Sequence, residues 1–183
     1  RRAPARLTDG DRARYGVPVA HIGSSMVSRG QELLRTFVQT FGTVYGDAEA
    51  GGQIARQLLS IQAASDRYVL PDLLEQLDPS MAGRFAAAGC RHRPDALLGE
   101  AAAARFRLET LAAVSPLGLH VWGDAGWRAL ESHGAVYRGW AGHFRELTRI
   151  CSAAHVHVDV GRLYQLDIVP MRIFDTIAAG GFV

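Results

Sequence analysis

The chain of 183 residues contains neither lysine nor asparagine, and every basic residue other than histidine is an arginine. We interpret this first as a coding bias toward GC-rich codons. The arginines are scattered among acidic residues and the formal net charge is only +2, which is too weak to favour nucleic acid as a partner. A surface of arginines that binds phosphate or RNA is the less favoured alternative.

Cysteine and long apolar runs are also scarce. Cys90 and Cys151 are too few and too far apart for a zinc site or a disulfide framework, which favours a reducing, cytoplasmic location. No apolar run approaches the ~18–20 residues that span a membrane, and the polar N-terminus lacks the apolar core of a signal peptide. Because the sequence does not begin with Met, we expect a piece of a longer chain.

The chain contains enough apolar residues to form a hydrophobic core, since 48% of the residues are hydrophobic and 21% are charged. Short apolar runs predict strands, and apolar residues at helical spacing predict helices, in alternating order. Strands are predicted at 17–22, 119–121, 136–137 and 156–160, and helices at 24–42, at 143–154 (with Phe144 on its apolar face) and at 171–179. A helical excursion over about 48–113 is expected to break near Pro71, Pro79 and Pro94.

Strand–helix alternation predicts an α/β fold, a Rossmann-like parallel sheet with helices on both faces. The fold is assigned to residues 17–183, and residues 1–16 are expected to be a linker or tail from a further domain. Such sheets bind ligands at the carboxyl ends of their strands. The candidate site therefore lies in the loops after Ile22, Val121, Tyr137 and Val160, and at the helix that starts at Met171.

The first of these loops holds Gly23, Ser24 and Ser25. Glycine lets the backbone approach a ligand, and two serines before a helix suit a phosphate. The loop is neither a dinucleotide-binding nor a P-loop motif, and it is not a nucleophile elbow, because Val27 stands in place of the second glycine. An ordinary strand–helix turn with a serine cap is an equally good interpretation.

Two further groups of polar residues lie near the C-terminus. Arg172 and Asp175 share one face of the last predicted helix, where Arg could pair with phosphate and Asp could accept hydrogen bonds from sugar hydroxyls. The alternative is a helix-start Asp and a surface Arg. His155, His157 and Asp159 alternate along a strand and could bind a metal, but polar side chains bonded to neighbouring loops are the favoured interpretation.

The C-terminal sequence VHVDVGRLYQLDIVPMRIFDTIAAGGFV (156–183) resembles the signature of the CgeB-like, spore-maturation type glycosyltransferases of the GT-B clan. LGLHVWGDAGW (117–127) and VYRGW (136–140) resemble the family's preceding strand, turn and short strand, and VAHIGSSM (19–26) resembles the strand that opens the same domain. The sequence departs from the family where His157 and Asp159 replace Asn, and where Ala179 replaces Cys.

The resemblance implies the nucleotide-sugar-binding half of a retaining GT-B glycosyltransferase that uses no metal and no cofactor. Its acceptor and its catalytic base are unknown, and Asp167, eight residues before Asp175, is given no catalytic role. The implied donor-binding residues are Gly23, Ser24, Ser25, Gly123, Trp127, Arg172, Asp175 and Gly180. We expect a chain that stops at the start of a further strand, at Phe182, to be truncated and inactive alone. A non-catalytic ligand- or partner-binding module of the same fold is the alternative.

Overall fold

Four short strands form one all-parallel sheet in the computed structural model, which describes residues 4–142, 145–165 and 167–183. The strands are β1 (Val19–Ile22), β2 (Leu119–Trp122), β3 (Val136–Tyr137) and β4 (Val156–His157), in the order β3-β2-β1-β4. Val19 of β1 is in register with Leu119 of β2 and with Val156 of β4. The predicted α/β, Rossmann-like parallel sheet is confirmed.

The apolar side chains of β1 and β2 are divided between two hydrophobic cores, one on each face of the sheet. The reason is that successive side chains of a strand point to opposite faces. Ala20, Ile22 and Trp122 pack with buried residues of α1 (Asp9–Tyr15) and α7 (Arg145–Ala153). On the other face the core joins strand residues to the last turns of α6 (Pro94–Val114) and to a 3-10 helix over Ala125–His133. Helices therefore cover both faces.

The segment before β1, predicted to be a linker or tail, includes the helix α1 (Asp9–Tyr15). Thr8 caps α1 and forms a capping box with Asp11, which satisfies backbone groups at the helix start. Tyr15 is buried in the core shared with α7, and its hydroxyl donates a hydrogen bond of 2.9 Å to Glu146. Burial of this tyrosine explains why the segment folds onto the sheet; a further domain before it stays a prediction.

A second compact unit consists of helices. It comprises Met26–Phe106 with the described residues of Arg162–Leu166, whereas the sheet unit comprises the described residues of Arg1–Ser25, Arg107–Gly161 and Asp167–Val183. Its helices are α2 (Val27–Tyr45), α3 (Ala48–Ala63), α4 (Leu70–Leu77), α5 (Met81–Ala87) and the first part of α6. The helical excursion predicted over about 48–113 coincides with α3 to α6, and Pro71 and Pro94 stand at helix starts as their missing N–H allows.

The C-terminal helix α8 (Met171–Ala178) follows β4, and Gly180, just beyond its end, has a φ of 81°, the left-handed conformation that glycine favours. Its apolar Met171, Phe174 and Ile177 are all exposed. The carbonyl of Phe182 then accepts a hydrogen bond of 2.8 Å from the N–H of His157, so the chain here runs beside β4.

The predicted helix over 143–154 corresponds to α7, although His143 and Phe144 lie outside the described residues. Among the helices in the described ranges, none combines the length and the apolar character needed to cross a membrane.

Candidate functional site

A cleft of about 200 Å³ opens in the sheet unit, where β1 and β2 end. Its apolar side chains are Ile22, Trp122, Trp140, Ala141 and Leu147. Gly23, Gly123, Ser24 and Arg172 complete the lining. The cleft lies at the carboxyl end of the parallel sheet, where folds of this class bind ligands.

The turn after β1 is held by Asp124, the residue that follows β2 and its turn glycine. The Asp124 carboxylate accepts hydrogen bonds from the Ser24 hydroxyl at 2.6 Å, from the Ser25 N–H at 2.7 Å and from the Ser25 hydroxyl. Burial alone would raise the pKa of Asp124, but these hydrogen bonds and one from Gly126 outweigh burial and lower it. Both serine hydroxyls predicted to face a phosphate therefore donate to a carboxylate, and Ser25 is fully buried.

The turn after β2 needs a glycine because the two turns touch. Gly123 has a φ of 155°, and a Cβ on it would overlap the carbonyl oxygen of Gly23. The same oxygen accepts a hydrogen bond of 2.8 Å from Nε1 of Trp127, whose side chain is fully buried. Trp127 thus positions the Gly23 turn and does not line the cleft.

Beneath the turns lies a buried pair that the sequence analysis did not single out, Arg107 and His21. Arg107 donates hydrogen bonds to the carbonyl of Ser24 at 3.1 Å and to the carbonyl of Val160, so it joins the segments that follow β1 and β4. Its Nη2 lies 3.3 Å from Nε2 of His21, while Nδ1 of His21 lies 2.8 Å from the carbonyl of Val158.

The ring of His21 is neutral in this setting. Burial, together with the charge of Arg107, lowers the pKa of His21 to about 3. Nδ1 therefore carries the proton and donates to Val158, and Nε2 accepts from Arg107. His21 is a polar residue inside the apolar run of β1, a feature of the sequence that could have indicated a role for it. Arg107 lies in a long Ala-rich helix, and no neighbouring residue indicates that its side chain will be buried at the sheet.

Arg172 is the cation that reaches the cleft. In the described part of the chain, its buried Nε and Nη1 have no hydrogen-bond partner. Nη1 does form an ion pair with Oδ2 of Asp175, at 3.5 Å, within the same helix. A guanidinium has five N–H donors, so Arg172 can still donate hydrogen bonds to an anionic or carbonyl ligand in the cleft.

The structure brings some of the predicted residues together and separates others. Gly23, Ser24, Gly123 and Arg172 line one cleft, and their role in binding a nucleotide-sugar donor stays a prediction. Asp175 is not among the described residues that line this cleft, but it forms an ion pair with Arg172, which is. Gly180 lies at the opposite end of α8, beside Pro4, and so does not join the others.

His155, His157 and Asp159 differ in their surroundings: His155 is exposed, His157 is buried and Asp159 is half-buried. Burial lowers the pKa of His157. The pKa of Asp159 is raised, because the effect of burial is larger than the opposing effect of the charges of Arg107 and Arg172. Across the residues that the structure describes, no group of three or more His, Cys, Asp or Glu side chains is arranged to hold a metal ion.

No protein-family model, no curated protein and no solved structure matches the chain. What the cleft binds is therefore inferred from its own residues.

Proposed function

We propose that the sheet unit binds the nucleotide-sugar donor of a glycosyltransferase, with the diphosphate at Arg172. The observation that carries this proposal is the pair of buried guanidinium nitrogens of Arg172 that lack a hydrogen-bond partner in the described chain. They belong to a residue that lines the same cleft as the Gly23–Ser24 turn.

The charge of the cleft favours an anion at this position. A buried guanidinium that forms hydrogen bonds is much more stable than one that does not, and a diphosphate offers it several acceptor oxygens at once. Arg172 is also the second residue of α8, where the partial positive charge of a helix N-terminus adds to its own. Asp175 forms an ion pair with this guanidinium at 3.5 Å. The ion pair involves Nη1, so other N–H groups of the guanidinium remain for a ligand.

In a glycosyl transfer, the bond between the sugar's anomeric carbon and the diphosphate oxygen breaks, and its electrons leave with the nucleoside diphosphate. A new bond forms between the anomeric carbon and a hydroxyl oxygen of the acceptor, whose proton passes to the departing diphosphate or to water. A fixed cation at the diphosphate stabilises the negative charge that grows there in the transition state. An acceptor must be held against the donor for transfer to occur, and we assign that part to a further domain. The sheet unit alone would then bind the donor without transferring the sugar.

A non-catalytic binding module is the second candidate, and a specific observation favours it. Met171, Phe174 and Ile177 expose an apolar face of α8, the same helix that presents Arg172. Contiguous exposed apolar surface commonly marks a protein interaction site. In that case the cleft would bind a ligand or a partner without any transfer step.

Calorimetry on the purified chain tests the donor proposal. We expect uridine diphosphate to bind, and Arg172→Gln to weaken its binding about 10- to 100-fold, the scale of hydrogen bonds to a charged group. Arg14→Gln is the matched control, because Arg14 is an exposed, ion-paired arginine of the same unit that does not line the cleft. Absence of nucleotide binding, or equal binding by wild type and Arg172→Gln, would refute the assignment.

A further inference from the structure

Trp140 is the exposed member of the chain's three tryptophans. Its side chain is 72% exposed, whereas Trp122 is 3% exposed and Trp127 is 0% exposed. The indole of Trp140 nevertheless belongs to the cleft lining, together with Arg172. A large aromatic side chain is thus presented to solvent beside the guanidinium of Arg172.

The backbone before Trp140 is held firmly against β2. The N–H of Arg138 donates to the carbonyl of Val121 at 2.9 Å, and the carbonyl of Gly139 accepts from the N–H of Gly123 at 2.9 Å. Gly139 has a φ of 76°, a conformation that lets the chain turn away from β2 at this point. Trp140 therefore follows directly on backbone that is hydrogen-bonded to β2 and its turn, and it lies in the lining of the cleft.

The remaining walls of the cleft are mostly apolar. Ile22, Ala141 and Leu147 offer no hydrogen-bonding side-chain atoms, and among the described lining residues the polar side chains are those of Ser24 and Arg172. This combination suits a ligand with one flat apolar face and one anionic group. A nucleotide has both, in its base and its phosphates.

We infer that Trp140 is the surface on which the base of the bound nucleotide stacks, an inference that rests on the proposed function. Aromatic side chains recognise bases through stacking, which tolerates any base because every base has a π-face. A stacked base can keep its polar edge in water. A sugar ring against the same walls would bury hydroxyls beside Ala141 and Leu147, where they would lack partners.

A base that is held by stacking alone is not distinguished from other bases, because its hydrogen-bonding edge contacts water and not the protein. Ser24 already donates its hydroxyl to Asp124, and Arg172 is assigned to the phosphates. The cleft lining therefore offers little with which to distinguish one base from another. We expect nucleoside diphosphates of different bases to bind within a few-fold of one another.

The test compares inorganic pyrophosphate, uridine diphosphate and guanosine diphosphate by calorimetry and by tryptophan fluorescence. On the wild-type chain, we expect both nucleotides to bind on the order of ten-fold tighter than pyrophosphate, and to quench the emission of the exposed indole. Trp140→Ala should abolish that advantage and the quenching, while Trp140→Phe should retain part of the advantage. Leu117→Ala is the control, because Leu117 is a 66% exposed side chain before β2 and lies outside the cleft lining.

The outcomes separate this inference from the proposed function. If pyrophosphate binds through Arg172 but nucleotides bind no tighter, or are unaffected by Trp140→Ala, the stacking role is wrong and the phosphate site stands. If Trp140→Ala weakens a nucleotide sugar but not the matching nucleoside diphosphate, Trp140 contacts the sugar and the inference is overturned. If none of the probes binds, both assignments are wrong.

Discussion

Asp124→Ala removes the carboxylate that fastens the two turns of the cleft to each other. In the wild-type chain this carboxylate accepts hydrogen bonds from the Ser24 hydroxyl, from the N–H and the hydroxyl of Ser25, and from the N–H of Gly126 at 3.0 Å. The last of these also caps the 3-10 helix that follows β2. One substitution therefore releases the β1 turn and a helix start together.

The expected loss of unfolding free energy is about 2–4 kcal/mol. A hydrogen bond to a charged group contributes roughly 1.5–3 kcal/mol, and an N-cap contributes about 1 kcal/mol. These contributions share one carboxylate and are not additive, so the expected loss stays below their sum. The larger part comes from Ser25, because both of its donors to Asp124 belong to a fully buried residue.

Urea unfolding followed by tryptophan fluorescence measures this loss. All three tryptophans lie in the sheet unit, so the signal reports on that unit and not on the helical one. Asp124→Asn should fall between wild type and Asp124→Ala, since an amide retains one of the two acceptor oxygens. Glu131→Gln, an exposed acid on the same 3-10 helix with an ion pair to Arg128, should change stability by less than about 0.5 kcal/mol.

The ionisation of Asp124 also makes the unfolding free energy depend on pH. The pKa of Asp124 is lowered in the folded chain, so its stabilisation is present above the ordinary Asp value of about 3.9 and is lost as pH falls through the lowered value. An Asp124→Ala variant as stable as Glu131→Gln at pH 7 would refute this account of the turns.

Two further predictions concern neighbouring residues. Gly123→Ala should lower the unfolding free energy by more than about 2 kcal/mol, since its Cβ would overlap the Gly23 carbonyl. Gly134→Ala should lower it by only about 1 kcal/mol, because Gly134 has a positive φ but open space around it; equal losses in the same urea assay would contradict the clash. His21 should stay neutral in NMR spectra at pH 5, and stability should fall as pH decreases from about 6.5 toward its pKa of about 3, because the unfolded chain takes up the proton that folded His21 excludes. A His21 signal that titrates near pH 6.5 would contradict its burial.

The cleft itself was harder to predict than its surroundings. Gly23 and Arg172 were placed at strand and helix ends, and parallel topology brings such ends together whatever the separation along the chain. Asp124 is not among the residues that the sequence predicts for the site, although an Asp directly before a helix start is a recognisable cap. The run VYRGW predicts a short strand that includes Trp140, and nothing in it indicates which aromatic side chain will be exposed.

The sequence by itself determined the α/β class, the parallel strands and most helix positions. These depend on the alternation and spacing of apolar residues and on proline and glycine at element ends, all of which are local. Only the tertiary structure decided that Ser24 and Ser25 donate to Asp124, that Trp127 supports Gly23, and that Gly180 lies away from the cleft. The buried contact of Arg107 with His21 joins residues 86 positions apart, and a hydrogen bond over that separation exists only once helix and sheet have packed.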